Sequence, residues 1–274
     1  RLRAITAAWH SNLVFTDDAD SQRLPGLVRK ALDLAEPEDH GARARATMVA
    51  GYVYHFGGQV ERAQRWYETS RRYALADGDE AHLSALMHNQ AGMRASLARQ
   101  ASLFDSGDQA AGAVAQALMS AESIGHYDAG IGTASLGSLV PVLRAQVLTA
   151  LQRWDEAAAL FDLHFDGAMN EGLKRTEACL LADRALCEQR LGRVEQARAL
   201  ADAAGQALGA PMHVDDRMVA LARLAQVLEG FGQGTTAAAH RGQARALHVQ
   251  HCALQQRMVA ELDVALAGLD PGLL

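Results

Sequence analysis

Cysteine, proline, aromatic residues and lysine are all scarce in this 274-residue chain, and each shortage narrows what it can be. The three cysteines, Cys179, Cys187 and Cys252, form no CxxC pair and no disulfide framework. Free thiols without an export signal suit a reducing cytoplasm, so a cytoplasmic location is expected. Only five prolines interrupt the chain, and few runs are β-branched, which leaves little to oppose helix. Aromatics make up 5%, which argues against a deep ligand cavity. The net charge is −6 with no polybasic block, which argues against nucleic acid or an anionic membrane as the main partner. No run of about 18 uncharged apolar residues exists to span a bilayer.

Catalytic signatures are missing as well. There is no HExxH, no Glu-x-x-His and no GxxxxGK. Gly130-Ile131-Gly132-Thr133-Ala134-Ser135 lacks the third glycine of a dinucleotide fingerprint, and Ser135 lacks the glycine pattern of a nucleophile elbow. His248 and His251 share a helical face near His240 and Cys252, yet no third zinc ligand is specified, and they read as solvated or half-buried histidines. Cys179 and Cys187, eight residues apart, read as small core residues. A non-enzyme is expected, with no cofactor and no metal.

What the chain has is apolar material, 49% of its residues, and a great deal of alanine, the best helix former. It also has a repeated turn followed by alanine. Gly57-Gly58-Gln59-Val60-Glu61-Arg62-Ala63, Leu151-Gln152-Arg153-Trp154-Asp155-Glu156-Ala157 and Leu191-Gly192-Arg193-Val194-Glu195-Gln196-Ala197 read alike, and Phe231-Gly232-Gln233-Gly234-Thr235-Thr236-Ala237 is a fainter copy. The last three alanines are 40 residues apart, a spacing typical of helical repeat arrays. Such arrays bind partners more often than they transform substrates.

The clearest repeat runs from about Gly41 to Asp77. Glycine ends its first helix at Gly57-Gly58, small Gly51 and Ala63 let two antiparallel helices cross closely, and Tyr67 fills the gap one turn on. Gly51, Tyr54, Gly58, Ala63 and Tyr67 resemble the tetratricopeptide repeat (TPR), in which small, aromatic and glycine positions recur at these offsets. Ala145, Leu148, Ala157 and Phe161 fit a second copy; Ala185, Gly192, Ala197 and Ala201 a third; Ala225, Gly232 and Ala237 a fourth. The resemblance implies an all-α fold over residues 1–274, a right-handed superhelical array (α-solenoid) of about six antiparallel helix hairpins. The 40-residue period exceeds the family's 34, so longer helices are expected.

Other elements follow the same logic. A first pair is expected near Leu2 to Phe15 and Ser21 to Ala35, and a further pair near Ala81 to Phe104 and Gln109 to Ile124. Gly125 to Gly132 is glycine-rich and suits a joint. From about Thr236 to Leu266 a last helix carries Leu254, Met258, Leu262, Ala265 and Leu269 on one face. That stripe suits a cap on the last repeat, with a coiled coil or a two-fold homodimer as the alternative.

In the TPR family the first helices of successive hairpins line a concave groove. Carried onto this chain, that lining comprises Arg45, Met48, Tyr52, His55 and Phe56, then His88 and Asn89, then Gln146, Gln189, Arg190, Gln226 and Glu229. An Arg, a His and an exposed Tyr on one stripe suit a peptide of mixed apolar and acidic character. The paired lysines and asparagines of the family's carboxylate clamp are not present: the only lysines are Lys30 and Lys174. The last helix is also similar to the helix that ends TPR-like sensor regions of bacterial signalling proteins, diguanylate cyclases among them. The resemblance implies a protein- or peptide-binding regulatory module of a larger protein, an expectation matched by a start at Arg1 rather than Met. A scaffold or adaptor, or part of a peptide-responsive transcriptional regulator, is the alternative.

Overall fold

A computed structural model describes residues 1–17, 22–105, 112–121, 123 and 137–272. Among them every regular element is helical: α1 (Leu2–Asp17), α2 (Leu24–Leu34), α3 (His40–Phe56), α4 (Val60–Asp77), α5 (Glu80–Phe104), α6 (112–121), α7 (Leu139–Ala150), α8 (Trp154–Asn170), a 3-10 turn (Leu173–Thr176), α9 (Glu177–Arg190), α10 (Val194–Ala207), α11 (Val214–Gly230) and α12 (Gly234–Ala265). The expected joint at Gly125 to Gly132 lies outside the described residues. Among those described, no helix is long and apolar enough to cross a membrane.

The repeated turn is one structure built four times. After α3, Gly58 takes a left-handed φ of 73°, its N–H bonds His55 O, and the Gln59 N–H bonds Tyr54 O. This double bond satisfies the last carbonyls of the helix and requires the left-handed residue between them. Gly192 after α9 and Gly232 after α11 repeat it, with φ 78° and 75° and the same pair of backbone bonds. After α7 the position belongs to Gln152, φ 60°, the one non-glycine residue with positive φ among those described.

The chain divides into two compact units, residues 1–93 with 252–274, and residues 94–251, so the boundaries fall within α5 and α12. In the first unit α1 packs on α2 and α3 on α4, while α3 also packs against α1 and α2. Gly51 makes the α3–α4 crossing possible: a Cβ there would lie 2.4 Å from Tyr67 Cε1. Val49, Val53, Tyr54, Trp66 and Tyr67 form the core. Into it the C-terminal half of α12 inserts Met258, Val259 and Leu262, with Leu254 and Leu269 packed alongside. Asp263 accepts from Tyr54 Oη at 2.8 Å and pairs with Arg62.

That placement corrects the expected cap. The apolar stripe of the last helix covers the first two helix pairs rather than the last one. Leu262 is fully buried there, so the face suited to pairing two chains is already occupied within this one.

In the second unit α7 packs on α8 and α9 on α10, and α9 lies beside α11 and α7. Phe161, Leu180, Leu186 and Leu224 anchor its core. Cys187 is buried in it, and Cys179 is buried in a neighbouring cluster with Met218 and Val219. His251 is also buried, not half-exposed as expected, and burial lowers its pKa. The start of α7 is held from afar: Glu171 accepts from the backbone N–H groups of Ser138 and Leu139 at 3.0 and 2.8 Å.

The repeat period is visible in the contacts between first helices. Arg223 bonds Asp183, 40 residues earlier; Gln189 bonds the Val227 carbonyl and Thr149 meets Cys187, each 38 apart; and Cys179 bonds the Asp216 carbonyl, 37 apart. The first unit does the same with Asn89 and Tyr52, 37 apart.

Candidate functional site

The residues expected to line a groove fall into two groups with different fates. In the first unit they are mostly engaged in packing. Met48, Tyr52, His55 and His88 are buried. Tyr52, expected to be exposed, is 3% exposed; its hydroxyl accepts from Asn89 Nδ2 at 2.6 Å, and its ring lies 5.4 Å from that of Phe15. Burial pushes the Tyr52 pKa up. His55 Nδ1 lies 3.1 Å from the Tyr67 hydroxyl. Phe56 meets the ring of Phe15 edge-on. Arg45 donates to Asp79 and to the Gly41 carbonyl, both at 3.0 Å, and its guanidinium sits 4.9 Å from the ring centre of Trp9. Small residues elsewhere on α3 let the helices approach so closely that this polar stripe becomes interhelical contact.

In the second unit Gln146 is buried on α7, Gln189 is committed to the Val227 carbonyl at 2.6 Å, and Glu229 pairs with Arg241. Arg190 and Gln226, by contrast, line a cavity of about 230 Å³. Its walls come from successive elements: Ser102 of α5, Thr149 of α7, Gln152 of the α7–α8 turn, Trp154 of α8, Leu186 and Arg190 of α9, and Arg223 and Gln226 of α11. Trp154 is the one aromatic ring among the lining residues.

The floor of the cavity is charged. Arg223, 4% exposed, donates Nε to Asp183 at 2.9 Å, Nη1 to Gln226 Oε1 at 3.0 Å and Nη2 to Ser102 Oγ at 3.2 Å. Arg99 approaches the same Asp183 carboxylate at 3.4 Å, and all three side chains are buried. Burial pushes the Arg223 pKa down from its ordinary value, and Asp183 opposes that fall. Two guanidiniums thus share one carboxylate in a place where an unpaired charge is costly. Burial also pushes the Cys187 thiol up to about 12, which keeps it from acting as a nucleophile at neutral pH.

Sequence reasoning missed Arg223, Asp183 and Gln152. Arg and Asp in an apolar helix pattern look like surface residues, but these two stand one repeat apart on successive first helices. Opposite charges separated by one period are the signal that would have paired them. Gln152 was visible as the missing glycine of the repeated turn.

No family model matches the chain, and no curated protein matches it.

Proposed function

We propose that this chain is a TPR-like repeat module that binds a protein or peptide segment along the first helices of its second unit. It serves as the regulatory or sensor part of a larger signalling protein, and an adaptor role is the alternative. In this reading the helix pairs continue into a right-handed superhelix of about six hairpins. The observation that carries it is the set of contacts at one-repeat spacing, Asp183 with Arg223 above all. They support a stack in which equivalent faces of α7, α9 and α11 adjoin, so that one partner segment can touch several repeats.

Arg190, exposed beside the cavity, and Gln226 are the residues expected to meet the partner. The test begins with selection of random peptides on the full chain, followed by titration of a recovered peptide into wild type and into the Arg190→Gln/Gln226→Ala variant. Micromolar binding by wild type, weakened by about tenfold or more in the variant, supports the reading; each lost contact of this kind is worth about 1 kcal/mol or more. Equal binding by the two proteins, or no recovered binder, goes against it.

A further inference from the structure

We propose that the cavity of the second unit is a site for a small organic carboxylate, held between Arg190 and Arg223 with its carbon stem against Trp154 and Leu186. The inference rests on the first-helix side of this unit being a binding side, and not on the ligand being a peptide.

Charge is the first argument. The chain as a whole is acidic, yet the cavity is lined by two arginines and no carboxylate. Arg223 spends three of its five N–H groups on Asp183, Gln226 and Ser102, which leaves one hydrogen on each Nη. Arg190 makes no ion pair among the described residues; its guanidinium lies 6.0 Å from the Trp154 ring centre. Arg99 and Arg223 share the Asp183 carboxylate behind the lining, while no carboxylate lines the cavity itself to neutralise Arg190.

Hydrogen-bond polarity is the second. Gln226 has its amide oxygen occupied by Arg223, so its NH2 is the end left for other partners. The polar groups presented by Arg190, Arg223 and Gln226 are therefore donors. A carboxylate is acceptor-only and takes up such donors in pairs.

The third is backbone strain. The other three copies of the repeated turn place glycine at the left-handed position, and the copy facing the cavity places Gln152 there, at φ 60°. A strained non-glycine residue at one copy of a repeated turn, itself a lining residue of the cavity, points to a use for its side chain. The size of the space and the ring of Trp154 favour an organic acid over a bare inorganic anion.

The test titrates glutarate into the isotope-labelled full chain and follows the indole N–H signal of Trp154, assigned through Trp154→Phe. Glutaramide is the neutral control, inorganic phosphate the inorganic one, and a capped Glu-Leu-Glu peptide the peptide arm. The expected result is a saturable shift with glutarate, about tenfold weaker in Arg190→Gln, as befits the loss of one charge-assisted contact. Gln152→Gly is expected to weaken it too, and glutaramide to give no shift. Phosphate binding as tightly as glutarate, a shift unchanged in Arg190→Gln, or no saturable shift at all overturns the inference. Binding of the capped peptide without glutarate overturns it and leaves the peptide reading standing. Glutarate binding without any peptide binding does the reverse.

Discussion

Gln152 sits in a conformation that costs an L-residue with a side chain about 1 kcal/mol relative to glycine. Replacing it with glycine removes that strain, so Gln152→Gly is expected to raise stability by about 1 kcal/mol, read as a higher urea midpoint at unchanged slope. A lower midpoint would mean that the glutamine side chain stabilises the turn by more than its backbone costs. His82 gives a second residue-scale prediction. It is buried against Ser70, whose Oγ lies 2.9 Å from His82 Nε2 and donates to the Ala44 carbonyl at 2.8 Å, so the imidazole is the donor to Ser70. Burial lowers its pKa to about 4. Above the unfolded value of about 6.5 the ring is neutral in both states and adds no pH dependence. Between that value and about 4 the unfolded chain takes up a proton that the folded chain refuses, so stability falls with acidification, by about 3 kcal/mol at the limit. Urea melts at pH 7 and pH 4.5 read this loss, and His82→Gln is expected to flatten it. Equal slopes in wild type and variant across that window would assign the acid sensitivity elsewhere.

Among the helices, the boundaries were the most legible features, because they depend on local chemistry. Gly58, Gly192 and Gly232 end α3, α9 and α11 where the repeat signature places them, and α5 runs close to its expected span. Gly51 was legible as a close-packing position, and its role makes a quantitative prediction. A methyl group there would meet the Tyr67 ring at 2.4 Å, so Gly51→Ala is expected to destabilise the first unit by about 1–3 kcal/mol, the usual cost of overpacking. An unchanged midpoint would show that Tyr67 moves aside freely. What α12 packs against was not legible. Leu254, Met258 and Leu262 announce an apolar face, but periodicity gives no address for it. Its burial against α1–α4 depends on complementary shape: Gly57 leaves room for Val259, whose Cγ2 would lie 2.3 Å from a Cβ at that glycine.

For the whole molecule, the sequence conveyed the helical class and the repeat period, and it conveyed the site only in fragments. Arg190 and Gln226 were selected by family register and do line the cavity; Tyr52 and His55 were selected by the same register and are core. The difference lies in the local helix spacing, set by side chains several tens of residues away. Asp183 and Arg223 were overlooked for the same reason, since charge in an apolar stripe gains meaning only when its partner is placed opposite. We propose that the first-helix faces of α7, α9 and α11 form the binding side of this molecule. Hydrogen exchange of the full chain with and without a selected peptide tests it most directly. Slowed exchange in Leu139–Ala150, Glu177–Arg190 and Val214–Gly230 is the expected result. Protection confined to α8 and α10 would place the partner on the second helices and overturn the proposal.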